Sequence, residues 1–358
     1  MFDFNGSVKG STVLIIRLSA IGDVVMASPL LKAIRCTWPN VHITWLVEPQ
    51  AMPLLIDNDE IDRIVVWPKG NWKKLFRTLR WWRLIREIRD FLVELRAERY
   101  DLALDLQGLF KSGIWAWLSG ARERVGLGSR EGSGLLMTRV VDRKGGDPRR
   151  IGSEYLHLAQ ELGLQADDFF MHVGVSTADE AAAAEIAQSH GPAGYVVGCP
   201  FTTRPQKHWV EAYWADLARQ LYERLGARLV LLGGPGDREA AARIAAAAGE
   251  AVDNRVGETS LTGAAAIISH ARLLIGVDTG LTHMGPAFNV PTIALFGSTC
   301  PYLETGRDNT VVIYHELPCS PCRRNPTCGG RFDCLTGISV DEVMGQVERL
   351  LSRAESMA

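Results

Sequence analysis

No stretch of this chain approaches the ~18 consecutive apolar residues of a membrane-spanning helix, which argues against an integral helical membrane protein. The first residues, MFDFNGSVKGSTVLII, lack a basic n-region and carry too short an apolar run for a secretory signal. The chain is therefore expected to stay in the cytoplasm. Cysteine is scarce, seven in 358 residues; in that compartment these are reduced thiols or metal ligands, not a disulfide framework. Net charge is small, −2, so nucleic acid is not the expected main partner. The loop after the first apolar run holds one glycine, Gly22, and so lacks the G-x-G-x-x-G dinucleotide fingerprint; a nicotinamide dehydrogenase is a poor reading. There is no short repeat, and the one biased tract, Ala-rich 240–248, suits an ordinary helix.

What remains is a globular chain, 47% hydrophobic and 22% charged, too long for one ordinary core. Two domains are expected, over 1–172 and 173–358. In the first, strands are predicted over 12–17, 42–47, 61–67 and 102–105, with helices over 24–37, 52–56, 72–98 and 153–162. In the second, helices over 178–189, 210–225, 238–248 and 261–269 alternate with strands over 195–198, 228–232, 273–277 and 291–296. Apolar strands alternating with helical patterns predict α/β domains with mostly parallel sheets, and ligands in such sheets bind at the carboxyl ends of strands. A final helix over 340–354 has no strand after it and is free to lie across either half.

Four loops follow strands and carry chemistry. Asp278-Thr279-Gly280 is read as opening a short helix that carries His283, a turn and helix N-terminus suited to an anion such as a nucleotide diphosphate. Thr202, Thr203 and Lys207 place two hydroxyls and a cation together, able to clasp a pyrophosphate; a capped turn with a surface lysine is the plainer alternative. In Gly233-Gly234-Pro235-Gly236-Asp237-Arg238-Glu239, either Asp237 or Glu239 could bind ribose hydroxyls. Asp23, after Arg17-Leu18-Ser19-Ala20-Ile21-Gly22, is either a first-turn carboxylate or a general base. A fifth loop, Asp105–Ser112, carries Gln107 and Lys111; with Arg130 it would suit an anionic second substrate.

Residues 69–99 hold ten Lys/Arg against four acids. The arginines from 77 to 89 recur every third residue, and Leu75, Leu79, Trp82, Ile85, Ile88, Leu92 and Leu95 drift around the helix with them. The two faces stay broadly opposed, a basic amphipathic helix suited to anionic lipid or an anionic acceptor; the alternative is a solvated face on a helix packed against its own domain. Cys319, Cys322, Cys328 and Cys334 could hold zinc, but the cluster lacks the paired C-x₂-C spacing of a zinc ribbon, and unliganded cysteines are the favoured reading.

Taken in order, RLSAIGDVVMASP (17–29), DLQGLFKS (105–112), TTRPQKHW (202–209), VDTGLTH (277–283) and PTIALFGSTCP (291–301) resemble the ADP-heptose:lipopolysaccharide heptosyltransferase family. DLQGLFKS and SRE (129–131) look more like its type I branch, which acts on the first Kdo sugar, than type II. The resemblance implies a GT-B fold: two Rossmann-like domains facing a central cleft, acceptor bound by the first and ADP-heptose by the second. It implies an inverting, metal-independent transferase with no cofactor, since ADP-heptose is a co-substrate. Asp23 would be the base. Thr202, Thr203 and Lys207 would hold the diphosphate, Asp278 would contact the heptose, and Thr279 and Gly280 N–H groups would receive phosphate. His283 and Glu239 would complete the donor site, although GGPGDRE departs from the family's usual sequence around that glutamate. Gln107, Lys111 and Arg130 would meet the acceptor, Kdo-lipid A or inner-core lipopolysaccharide. The enzyme would then sit on the cytoplasmic face of the inner membrane, through the basic 69–99 region. Competing readings are a type II enzyme, a sugar-nucleotide epimerase of the same fold, and a non-catalytic nucleotide-sugar-binding protein.

Overall fold

The computed structural model describes residues 12–299, 302–322 and 325–357. The first eleven residues, on which the signal-peptide reading partly rests, and Cys300 and Pro301 of the 291–301 motif lie outside the described residues. The chain divides into two units. One is Met1–Pro148 with Gly152–Gly174; the other is Arg149–Ile151 with Val175–Ala358.

The first unit contains β1 (Thr12–Ile16), β2 (His42–Val47), β3 (Arg63–Val66), β4 (Leu102–Asp105), β5 (Glu123–Leu127) and β6 (Arg139–Val141). They form one sheet in the order β3-β2-β1-β4-β5-β6, with every pairing parallel. The second contains β7 (Tyr195–Cys199), β8 (Arg228–Leu231), β9 (Val252–Asn254), β10 (Leu273–Val277), β11 (Thr292–Phe296) and β12 (Thr310–Tyr314). Its order is β12-β11-β10-β7-β8-β9, again all parallel. Counted from the first strand of each unit, both follow the Rossmann order 3-2-1-4-5-6. That order has one switch point per sheet, between β1 and β4 and between β7 and β10. Central strands such as TVLII and LLIGV are almost wholly buried, as two-sided coverage by helices requires.

Two predicted helices are each split in two. Residues 24–37 form Ile21–Ala27 and Pro29–Thr37. Pro29 cannot donate an N–H to the preceding turn, and the Ser28 hydroxyl instead donates to the Val25 carbonyl at 2.7 Å. Residues 72–98 form Lys69–Arg77 and Trp81–Leu95. Leu79 adopts φ 56°, and the Arg80 N–H reaches back to the Leu75 carbonyl at 3.0 Å. This is a Schellman-type ending in which leucine occupies the left-handed position that glycine usually fills.

The terminal helix, Val340–Met357, packs within its own unit. Val343, Met344 and Val347 join Trp214, Leu217, Leu295 and Leu335 in one apolar cluster. In the first unit, Phe91 and Leu95 from the basic helical region pack with Trp67, Trp115 and the inward face of β1.

Candidate functional site

Candidate residues gather at the carboxyl ends of the strands that flank each switch point. In the second unit, the loop after β7 carries Thr202, Thr203 and Lys207, and the loop after β10 carries Asp278 to His283. An ion pair joins them: Lys207 Nζ lies 2.5 Å from Asp278 Oδ2. His283 Nε2 lies 3.6 Å from the other carboxylate oxygen. The Thr202 hydroxyl donates to the Asp278 carbonyl at 3.3 Å, so both loops are fixed to each other by side chain and backbone. Burial works against the Asp278 charge, but His283 and Lys207 outweigh it and hold the carboxyl well below the usual carboxylate range. Asp278 is therefore a permanent anion, and it aims the ammonium of Lys207.

The anion-site argument changes in its cause. The helix expected to begin at Asp278–Gly280 is only Met284–Ala287, and the residues before it form turns. His283 is its N-cap residue and does not lie inside it. Four residues build little of a macrodipole, since the effect sums over aligned peptides. What the loop offers instead is donors: among the described residues, the Thr279 and Gly280 amides enter no hydrogen bond. The turn is held tight by Thr282, whose hydroxyl donates to the Val277 carbonyl at 2.6 Å. A Cβ on Gly276 would fall 2.1 Å from that hydroxyl, so the close approach of turn to strand requires glycine there.

Glu239 is not part of this cluster. It is almost fully exposed in the first turn of the helix Arg238–Ala248, and its ion pair is with Arg243 on the same helix at 3.7 Å. Asp237, the other carboxylate, closes its own loop by accepting from the Gly234 N–H at 2.9 Å. Two hydroxyls that motif reasoning did not single out, Ser298 and Thr299 after β11, are buried without a hydrogen-bond partner among the described residues. Buried polar atoms are normally satisfied, so this pair marks a polar position beside the β10 loop. The signal in the sequence was a polar pair directly after an apolar strand and Gly297.

The first unit builds the equivalent place from the loops after β1 and β4. Arg17, buried, donates to the Leu106 carbonyl at 3.0 Å and forms a close ion pair with Asp23. Asp23 also accepts from the Ala20 N–H at 3.1 Å as the first-turn carboxylate of its helix, so the plain structural role is realised. Its side chain is still 37% exposed, within reach of a ligand. Gln107 ties the two loops together, its side-chain oxygen accepting from the Leu18 and Ser19 amides at 3.2 and 3.3 Å. This places Gln107 as a support for the Asp23 loop, with its amide NH₂ remaining as a donor. Beneath it, Asp105 accepts from the Gln107 and Gly108 amides at 3.1 and 3.0 Å. Arg143, which sequence reasoning missed, donates to the Leu106 and Leu127 carbonyls at 2.7 and 3.1 Å.

Lys111 and Lys69 share the carboxylate of Glu48 at 3.8 and 3.0 Å. Burial lowers the pKa of Lys111, and the neighbouring Lys69 adds to that. Arg130 is exposed, and its backbone N–H donates to Gly108 at 2.8 Å. Asp23, Gln107, Lys111 and Arg130 thus lie on three neighbouring strand ends of one sheet. Among the described residues, no group of three or more His, Cys, Asp or Glu side chains is placed to hold a metal ion, and Cys319, Cys322, Cys328 and Cys334 are free thiols.

The family model for glycosyltransferase family 9 (heptosyltransferase) matches residues 88–330. The chain is 31% identical to lipopolysaccharide heptosyltransferase 1 of Pseudomonas aeruginosa, with 96% of this chain and 99% of that protein covered. It is 26% identical to lipopolysaccharide heptosyltransferase 2 of Escherichia coli, over 96% and 99% of the two chains. Among solved structures, Escherichia coli heptosyltransferase WaaC with ADP-2-deoxy-2-fluoro heptose is similar at a TM-score of 0.71 and 25% identity, covering 94% of this chain and 99% of that one.

Proposed function

This chain belongs to glycosyltransferase family 9, the heptosyltransferase family, and from that premise we propose how it divides the reaction between its two units. It is a glycosyltransferase of the GT-B class that moves heptose from ADP-heptose to the inner core of lipopolysaccharide. The second unit takes the donor. Lys207 neutralises the diphosphate, the Thr279 and Gly280 amides and the Thr202 and Thr203 hydroxyls donate to its oxygens, and Asp278 contacts the heptose while aiming Lys207. The observation that carries this reading is the Lys207–Asp278–His283 cluster beside two unengaged amides at the second switch point.

Chemically, the acceptor hydroxyl gives its proton to the Asp23 carboxylate as its oxygen attacks the anomeric carbon. The bond from that carbon to the diphosphate breaks, ADP leaves with the electron pair, and a single displacement inverts the centre. Charge develops on the leaving oxygen, where fixed donors stabilise it more than they stabilise the bound donor sugar. Gln107, Lys111 and Arg130 face the anionic acceptor, which we take to carry Kdo alone, as in a type I enzyme. Because that acceptor is a lipid, the enzyme works as a peripheral protein on the cytoplasmic face of the inner membrane, held through the basic 69–99 region.

The test is incubation with ADP-heptose and defined lipid A acceptors bearing either Kdo or Kdo plus one heptose, followed by mass spectrometry. One added heptose on the Kdo acceptor alone is the expected result. Addition only to the heptose-bearing acceptor would make the enzyme type II. Turnover of the nucleotide sugar without any acceptor would point to an epimerase, and no turnover of either kind to a binding protein.

A further inference from the structure

Between Lys69 and Arg86 the chain holds seven Lys/Arg and no acid. The structure folds this segment and the helix that follows into a hairpin, Lys69–Arg77 and Trp81–Leu95, turning at Leu79. Its inner face is built into the core: Leu75, Phe91 and Leu95 are buried, and Trp72 stacks edge-on against Phe91 and Trp115 at 5.3 and 5.8 Å. Its turn end is the opposite. Trp82 is 88% exposed and Leu79 70%, and Phe76, Trp81 and Ile85 are exposed as well. Phe76 and Trp81 stack on each other, 4.8 Å between centroids.

Helical phase explains the division. At ~100° per residue, Phe91, Leu95, Leu84 and Ile88 occupy one side of the apolar arc; Phe91 and Leu95 enter the core, and Leu84 and Ile88 are half-buried. Trp81, Ile85 and Trp82 continue the same arc for roughly another 100° and are exposed, Trp81 packing on Phe76 of the other helix; Arg89 lies within this arc and Arg86 at its far edge. The sequence pattern sets one apolar face against one basic face, but the core uses only half of the apolar face. What is left is an apolar wedge rimmed by exposed cations.

The geometry points to a specific use of this tip: Phe76, Leu79, Trp81, Trp82 and Ile85 insert into the headgroup–acyl boundary of an anionic phospholipid bilayer, while Arg77, Arg80 and Arg86 engage lipid phosphates. This rests on the membrane reading above and adds the anchoring element. Indole rings settle at that boundary because one edge is apolar and the N–H wants water. Arginine stems lie along apolar surface and carry the guanidinium up to the phosphate plane. A second copy of this chain is a poor occupant: Glu87 offsets Arg83 at 3.2 Å, but with no acid between Lys69 and Arg86 two such cationic rims would repel.

The experiment is sedimentation with vesicles of phosphatidylethanolamine and phosphatidylglycerol, or of phosphatidylcholine alone, with no donor or acceptor present. The wild type should bind the anionic vesicles and release them as salt rises. Trp82→Ser with Ile85→Ser should weaken that binding by about tenfold or more with the salt dependence retained, as loss of buried apolar area requires. Arg77→Gln with Arg80→Gln and Arg86→Gln should weaken it and flatten the salt dependence. Transfer to a water-soluble, deacylated acceptor should be unchanged in all of them, and the substituted side chains are exposed, so folding is preserved. If the wild type ignores anionic vesicles, the membrane reading itself fails. If it binds and the tip variant binds equally well, only the wedge is overturned. Self-association that disappears in the tip variant, without vesicle binding, would assign the tip to a second copy and overturn the proposal.

Discussion

Arg17 is buried, and its guanidinium meets the Asp23 carboxylate, so the candidate base is also the counter-ion of an interior cation. That changes what a substitution does. Asp23→Asn keeps an oxygen for the Ala20 N–H but leaves Arg17 without its anion. The expected cost is about 1–3 kcal/mol of stability, toward the low end for a broken buried pair because Asp23 is partly exposed and screened. Transfer should fall by roughly 10²–10⁴-fold, the usual worth of a positioned base, when measured at a temperature where circular dichroism shows the variant folded. Turnover near the wild-type rate would remove Asp23 from that role. Asp105 behaves differently. It is fully buried with one carboxylate oxygen lacking a partner; burial raises its pKa, against the pull of the Gly108 amide, Ser112, the Gln107 amide and Arg143. An acid whose pKa is raised on folding stabilises the fold only while protonated, and that contribution is lost as pH rises through the folded value. Asp105→Asn should therefore gain about 1 kcal/mol, some 2–4 °C in Tm, at neutral pH. The gain should shrink as pH falls and vanish below the ordinary aspartate value of about 3.9. Thermal melts at both ends of that range decide it; a lower Tm at neutral pH would contradict the account.

At the scale of elements, the hairpin turn is where local chemistry and structure part company. Leu79 sits at φ 56°, a conformation that glycine adopts without a steric penalty. Leu79→Gly should raise the urea midpoint by the equivalent of roughly 0.5–1 kcal/mol while weakening attachment to anionic vesicles. A loss of stability would mean that the turn is held by something other than this backbone geometry. Element boundaries were legible where a strong apolar run met a strong breaker: the strands over 42–47, 102–105 and 273–277 and the helices over 238–248 and 261–269 coincide with what the structure holds. The Leu79 break was illegible because it uses neither glycine nor proline. The edge strands Arg139–Val141 and Val252–Asn254 are three residues each, the first exposed at two positions and the second partly buried throughout, too short for an alternating pattern to register. The four-residue helix after Asp278 was overestimated for a related reason. Apolar Leu281 and Met284 fit a helical period, yet the Thr282 side chain bonds to Val277 and spends those residues on a turn.

For the whole molecule, two sheets of the same strand order each bring a pair of loops to a switch point, and side-chain bridges lock each pair. In one unit these are Gln107 to the Leu18 and Ser19 amides and Arg17 to the Leu106 carbonyl; in the other they are Lys207 to the Asp278 carboxylate and Thr202 to the Asp278 carbonyl. The proposed division of labour predicts that ADP alone slows hydrogen exchange in the loops over 202–208 and 278–283, and leaves the loop over 18–23 as it was. Protection confined to the first unit would reverse the assignment of donor and acceptor. Linear order was enough to find the α/β class, the five strand-end loops and the family, because each is carried by a short run of adjacent residues. Linear order could not show that Asp278 neutralises Lys207, that Gln107 supports the Asp23 loop, that Glu239 stands apart in solvent, or that Trp82 and Ile85 have no core to enter. Each of these depends on which strands become neighbours in the sheet and how much of a helix its own unit covers. Those are long-range outcomes of packing, set by residues 70 to 90 positions apart, and only the tertiary structure decides them.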